Sequence, residues 1–434
     1  MKKYICFAIC LVLCCFIFAS CNGDNTDSST TVEVCQHNSV KMESISSTCF
    51  LEGRSGGYQC SLCEEILEEP TVHPKLKHNF VDDVCTHCNN QNSINQFNFE
   101  LNDDGKSYKI TLFYIYKSPD VLMIPEEYNG KPVTAISEEA LFYSSEFEKL
   151  IIPDTITYIG RAAFYKSTDL VEVEVYGSPY FYSSAFEDCM LLDEITFYGN
   201  IKEIPDRMFS GCESLNKINV PDSVTKIGKD AFTSCKQLRK IELGDNVLEI
   251  GAGAFEGTTI KELTIPKGVT VINEDTFAYA GIENIIIHDG ITEIKDGAFR
   301  NCKNLESVHI GSGVVSIGKK AFYECEKLKK LTIPNNVKNL GEELVYNCVS
   351  LEEIVIGDGV EYFTGKVVTS CDNLKKITLG KGINYCFGNN VFLGCYELKE
   401  LHIANLNVLA SLKEAGLLEN CRKAKIYHNG EIVT

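Results

Sequence analysis

Six cysteines and four histidines crowd into residues 35–88: Cys35, His37, Cys49, Cys60, Cys63, His73, His78, Cys85, His87 and Cys88. Cys60 with Cys63, and Cys85 with Cys88, are two Cys-x-x-Cys pairs with 21 residues between them, just beyond the usual zinc-ribbon spacing. Two thiolates so spaced form one half of a tetrahedral zinc site. These four could make one site, with Cys35, His37, Cys49 and His78 as a second set. Six cysteines of an exported protein could instead close three disulfides, in any of fifteen pairings, or stand in a mixed or vestigial arrangement. The histidines favour metal, because disulfides have no use for them. The segment is too short to hold a core without staples of one kind or the other. The expected cofactor is therefore a structural zinc, and the expected role of the segment is structural.

The chain opens with an export signal: Lys2-Lys3, an apolar run from Tyr4 to Phe18, then Ala19-Ser20 before Cys21. That run is short for a membrane span. Phe18-Ala19-Ser20-Cys21 resembles a bacterial lipobox, with Phe where Leu is more usual. The resemblance implies lipidation of Cys21 and cleavage before it, the alternative being an ordinary signal cut near Ala19. Residues 22–34 are a polar tether. The expected location is outside the cell, on its surface or outer membrane, with the lipid as the only membrane contact.

The elements that must carry such a head are written in a repeat. From about residue 131 to 425 a unit of about 23 residues recurs thirteen times, clearest in Leu215-Asn-Lys-Ile-Asn-Val-Pro-Asp-Ser-Val-Thr-Lys-Ile-Gly-Lys-Asp-Ala-Phe-Thr-Ser-Cys235. Aligned on one large apolar residue, the units fall at Phe142, Phe164, Phe186, Phe209, Phe232, Phe255, Phe277, Phe299, Phe322, Val345, Val368, Phe392 and Leu418. A fixed period of that length is the mark of a solenoid. Each unit holds a period-2 run such as Leu263-Thr-Ile265 or Leu331-Thr-Ile333, which predicts one short strand per turn. A second apolar series, as in Val224, Ile227 and Ala231-Phe232, must line the same core from another wall. One turn cannot bury its apolar face alone, whereas stacked turns share a continuous core.

These residues resemble the BspA-like (Treponema-type) leucine-rich repeats, whose unit reads L-x-x-I-x-I-P-x-x-V-x-x-I-G-x-x-A-F-x-x-C. The resemblance covers about two thirds of the chain. Units at 181–186, 341–348 and 363–371 depart most, losing Gly, Ala-Phe or both. It implies a mostly β, right-handed leucine-rich-repeat solenoid of about 13 rungs and a bacterial surface protein that binds host, matrix or cell components. The Cys/His segment is similar to zinc-ribbon-like segments of secreted bacterial proteins, and Gly57-Tyr58 and His78-Asn79-Phe80 match positions of that pattern.

The expected organisation is a signal at 1–20, a tether at 21–34, the Cys/His module at 35–95, a β cap at 96–130 and the solenoid with its C-terminal cap at 131–434. The cap should be a hairpin, Phe97 to Leu101 and Tyr108 to Leu112 around Asp104-Gly105, covering the edge the first turn exposes. Nine units place Cys three residues after the aligned residue: Cys189, Cys212, Cys235, Cys302, Cys325, Cys348, Cys371, Cys395 and Cys421. Ser145, Ser167, Thr258 and Ala280 take that place elsewhere, so the slot selects a small side chain and its cysteines should be free and buried.

A net charge of −19 becomes −21 once Lys2 and Lys3 leave with the signal (−19 minus 2), which argues against nucleic-acid partners. No nucleophile recurs near a histidine and no phosphate loop stands out, so no enzyme activity is expected. What the repeat leaves free is the middle residue of each strand: Ile151, Glu174, Thr196, Asn219, Glu242, Thr264, Ile286, His309, Thr332, Val355, Thr378 and His402. Such a row is where repeat proteins bind, and Thr264, Ile286, His309, Thr332, Val355 and Thr378 are its candidate contact residues. The reading is a monomeric surface protein that binds protein or glycan ligands; the alternative is a structural or envelope spacer with no ligand of its own.

Overall fold

The computed structural model describes residues 39–42, 44–49, 52–55, 58–60, 66–68, 70–78, 80–81, 84–88, 92–114, 120–145, 147–364, 366–387, 392–414 and 421–433. Two compact units divide between Asn92 and Ser93.

In the first unit short antiparallel pairs do the folding. Ser39–Lys41 pairs with Tyr58–Cys60, which pairs with Ile66–Glu68, while Gly53–Ser55 pairs with Thr71–His73 and Phe80–Val81 with Val84–Cys85.

The second unit is a mostly β solenoid of about 13 turns. Its alternating runs put aliphatics inward and the residue between them outward: in Lys330–Ile333, Leu331 and Ile333 are buried and Thr332 is exposed. Successive runs stack in parallel, from Val121–Met123 through Lys149–Ile152, Glu172–Val175 and Glu194–Phe197 to Lys217–Ile218. Asn284–Ile287 then pairs with Ser307–Ile310, and a last sheet runs from Lys330–Ile333 to Lys425–His428 before closing on the antiparallel Glu431–Ile432. A second wall is built from short parallel pairs such as Lys226–Ile227 and Glu249–Ile250. Along a third, the amide of one turn's aligned residue donates to the next turn, as Phe232 N to Ala254 O at 2.9 Å. Inside, the rings from Phe164 to Phe322 form one column with centroids 5.0 to 5.9 Å apart.

The repeat carries a backbone signature that its letters conceal. Residues two before and two after the aligned position take positive φ, as with Asp230 (53°) and Ser234 (62°) around Phe232, or Lys320 (56°) and Glu324 (54°) around Phe322. This signature corrects the phase of the first repeat. Glu139 (56°) and Tyr143 (54°) flank Leu141, which is 1% exposed, whereas Phe142 is 43% exposed. Leu141 therefore fills the core slot, and Phe142 lies outside, its ring stacked on Tyr165. The small-residue slot of that turn is accordingly the buried Ser144 rather than Ser145.

Two further expectations change. Strand pairing stops at Ile218, because the Asn219 side chain takes both Phe197 backbone groups, accepting from its N–H and donating to its C=O, each at 2.8 Å. Neither 241–243 nor 263–265 forms ladder bonds, although Ile241, Leu263 and Ile265 still point into the core. The hairpin Phe97–Leu101 with Tyr108–Phe113 forms around Gly105, and Tyr108–Phe113 continues in parallel onto Lys131–Ile136. It thus extends the second wall rather than the first. One short helix, Val408–Glu414, lies among the late turns, and no helix among the described residues is long and apolar enough to cross a membrane.

Candidate functional site

The first unit gathers four potential metal ligands whose donor atoms all lie within 4.8 Å of one another: Cys49, His78, Cys85 and Cys88. Val84–Cys85 ends in a turn that brings Cys88 back beside Cys85. The amide of Leu76 donates to Thr48 O at 2.8 Å, which lays the segment bearing His78 along the one bearing Cys49. Cys49 Sγ is 3.8 Å from Cys85 Sγ, and His78 Nδ1 is 3.4 Å from Cys85 Sγ and 3.6 Å from Cys88 Sγ.

A tetrahedral zinc with sulfur at about 2.3 Å and nitrogen at about 2.0 Å sets sulfur–sulfur edges of about 3.8 Å and sulfur–nitrogen edges of about 3.5 Å. The observed separations fit that figure. The 3.8 Å between Cys49 Sγ and Cys85 Sγ does not fit a disulfide, whose sulfurs sit about 2.05 Å apart. Burial, and then the neighbouring thiols Cys85 and Cys88, push Cys49 up to about 12. A bound cation reverses that preference by favouring thiolates. Three sulfurs and one nitrogen would close a structural site, with no coordination position left for water or substrate.

The cluster takes two residues from each set drawn from spacing, Cys85 and Cys88 from one and Cys49 and His78 from the other. Cys21, Cys35, His37 and Cys63 lie outside the described residues; Cys60 is described only in its backbone, opposite Ser39. His73 is elsewhere, its Nε2 2.6 Å from Ser55 Oγ.

On the solenoid, the strand-centre row divides. Ile151 is buried, a correction, since it lies in register with the equally buried Met123 and only Glu174 on its other side reaches the surface. Glu174 is held by Lys149 Nζ and the Tyr176 hydroxyl, each at 2.8 Å, and Asn219 is spent on Phe197. Further on the row opens: Thr264, Ile286, His309 and Thr332 are exposed, with Ile286 at 69%, and Val355 and Thr378 are half-buried. Register sets Ile286 beside His309, and Thr332, Val355, Thr378 and His402 in line. Between Ser307–Ile310 and Lys330–Ile333 the ladder is interrupted. A depression of about 700 Å³ opens there, lined by Asp289, Glu306, His309, Lys329, Lys330 and Thr332 among others. Opposite charges flank the row, with Lys330 2.8 Å from Glu353 and Lys375 3.1 Å from Glu352.

Sequence reasoning took the cysteine slot for a small hydrophobe. The slot is buried, and its thiols also donate across turns: Cys212 Sγ lies 3.1 Å from Phe186 O, Cys235 Sγ 3.2 Å from Phe209 O and Cys302 Sγ 3.0 Å from Phe277 O. Ser167 Oγ makes the same approach to Leu141 O at 3.4 Å. The appearance of serine in the slot was the available signal.

Fold and repeat together define a leucine-rich-repeat solenoid with a small Cys/His unit before it. The BspA type leucine rich repeat region matches residues 134–180, 178–283 and 292–421, in six copies, and the chain belongs to that family. A leucine-rich repeat protein from Bacteroides ovatus is 23% identical, with a TM-score of 0.51 over 77% of this chain and 98% of that one. The pneumococcal vaccine antigen PcpA is 18% identical, with a TM-score of 0.52 over 78% and 98%. Both likenesses are of fold. No curated protein matches the sequence.

Proposed function

We propose that this chain is an exported surface protein that holds a protein or glycan partner on the open half of its strand-centre row. The observation that carries the reading is the run from Thr264 to Thr378, where buried aliphatics fix the backbone and the residue between them varies freely at the surface. A row of chemically varied side chains on a rigid, repeated frame is how solenoids present information. Leucine-rich-repeat solenoids are typically non-enzymatic, and the fold supports recognition rather than catalysis. Zinc on Cys49, His78, Cys85 and Cys88 staples the first unit. The leader and lipobox-like tetrapeptide support export and attachment through Cys21.

The test is attachment to matrix proteins or glycans by the chain with Ile286, His309 and Val355 all replaced by Ser. Binding should weaken while the melting temperature falls only slightly, because the exposed Ile286 and His309 positions shift stability by less than about 0.5 kcal/mol each and the half-buried Val355 adds a small loss of packing. Unchanged binding by this variant overturns the assignment of the row.

A further inference from the structure

A different wall of the turn carries a second concentration of recognition chemistry. Tyr158 and Tyr180 are register partners on neighbouring short strands, and Tyr182, two residues on, faces the same way. The three rings are 40%, 51% and 44% exposed. Tyr182 lies 5.3 Å from Tyr158 and 5.1 Å from Tyr180, centroid to centroid. The carboxylate of Glu203 beside Tyr180 raises that phenol above its ordinary value, followed by a smaller effect of burial.

At two other exposed tyrosines, Tyr143 and Tyr279, and at the half-buried Tyr165 and Tyr323, the chain sets its own cations against the ring. Lys166 Nζ sits 5.4 Å from the centroid of Tyr143 and 5.1 Å from that of Tyr165, the Arg300 guanidinium 4.9 Å from that of Tyr279, and Lys320 Nζ 5.4 Å from that of Tyr323. Among the described residues, no lysine or arginine of the chain lies over Tyr158, Tyr180 or Tyr182. The electron-rich faces are therefore open to a cation from outside, with Glu203 at their rim and the chain's own Lys226, which pairs with Glu249, beyond it on the next strand; the net charge of −19 draws a cation in.

We propose that Tyr158, Tyr180 and Tyr182, with Glu203 at their rim, form a docking surface for an arginine- or lysine-bearing segment of a partner protein. Ring faces supply cation–π attraction and Glu203 supplies the ion pair. This surface belongs to the second wall and is independent of the strand-centre row.

The probe is a fluorescently labelled tetra-arginine peptide titrated against the full chain, with its citrulline counterpart as the neutral control. Because an acidic chain attracts arginine everywhere, the deciding variants leave the charge unchanged. Tyr180→Ala with Tyr182→Ala should lose about tenfold in affinity. Tyr180→Phe with Tyr182→Phe should stay within about twofold, since the ring faces persist, as should Tyr396→Ala at an exposed tyrosine elsewhere. The strand-row triple serine variant should bind the peptide as the parent does. Equal binding by the alanine pair, equal binding of the citrulline peptide, or no binding of tetra-arginine by the parent chain each overturns the proposal.

Discussion

A thiol occupies the slot after the aligned residue because that position asks for little volume and one weak donor. The aligned residue's carbonyl already accepts a bond within its own turn, as Phe209 O does from Cys212 N at 3.0 Å, and the Cys235 thiol reaches its remaining lone pair from the next turn. Burial raises these thiols, Cys189 and Cys302 to about 12 from an ordinary value of 9.0, and Cys212, Cys235 and Cys325 in the same direction. A group whose folded pKa is raised lends its full stability below the unfolded value and loses it as pH climbs toward the folded one. The solenoid should therefore weaken as pH rises above 9 toward the folded values, each buried thiol adding to the loss. Replacing Cys189, Cys212 and Cys235 by Ser keeps a donor and removes the ionisation, so denaturant unfolding of this variant between pH 8 and 10.5 should show a shallower pH slope than the parent. An equal slope would remove the thiols from the account. Volume matters as much as charge: Phe232→Ala opens a gap in the ring column and should cost about 3–5 kcal/mol in the same assay.

At the scale of the turn, close stacking makes its own demand. A Cβ on Gly251 would lie 2.5 Å from Lys229 N, a backbone atom that cannot swing aside. Gly251→Ala should force two turns apart and cost about 1–3 kcal/mol, measured by thermal unfolding, although its φ is ordinary. This glycine was legible in the repeat as a letter but not as a reason. The strand, the return series and the core column were all readable because their apolar positions recur with one period, and inward side chains follow from period alone. The first turn was misread because Leu141 and Phe142 are adjacent and both large; sequence favoured the ring, while the paired positive-φ positions that decide the phase leave no consistent residue type behind. Asn219 was placed on the free row for a similar reason, since only coordinates show its amide replacing a ladder. The grouping of the metal ligands was equally hidden. Spacing could pair Cys85 with Cys88, but the approach of Cys49 and His78 depends on contacts such as Leu76 N to Thr48 O that no spacing rule contains.

At the scale of the whole chain, the two units should respond to different agents. Elemental analysis of the purified protein should find one zinc on Cys49, His78, Cys85 and Cys88, and Cys85→Ser with Cys88→Ser should remove it. A strong chelator should unfold the first unit, since binding energy at such a site is folding energy, while the solenoid transition stays in place; a parent chain without metal would refute the staple. Cys21→Ser should move the protein from the membrane to the soluble fraction in a cell fractionation, and continued retention would count against the lipid. The stacked turns carry a mechanical consequence as well. Each turn touches only its neighbours, through up to three short rows of backbone bonds and the shared apolar core, so a pull on the two ends meets no single strong lock. Stretched in an optical trap, the solenoid should shed turns from an end in sequence, each release of about 23 residues lengthening the chain by roughly 75–80 Å. A protein built this way lengthens by stages under tension, like a tape paying out from its reel, while the turns not yet reached keep their surface intact.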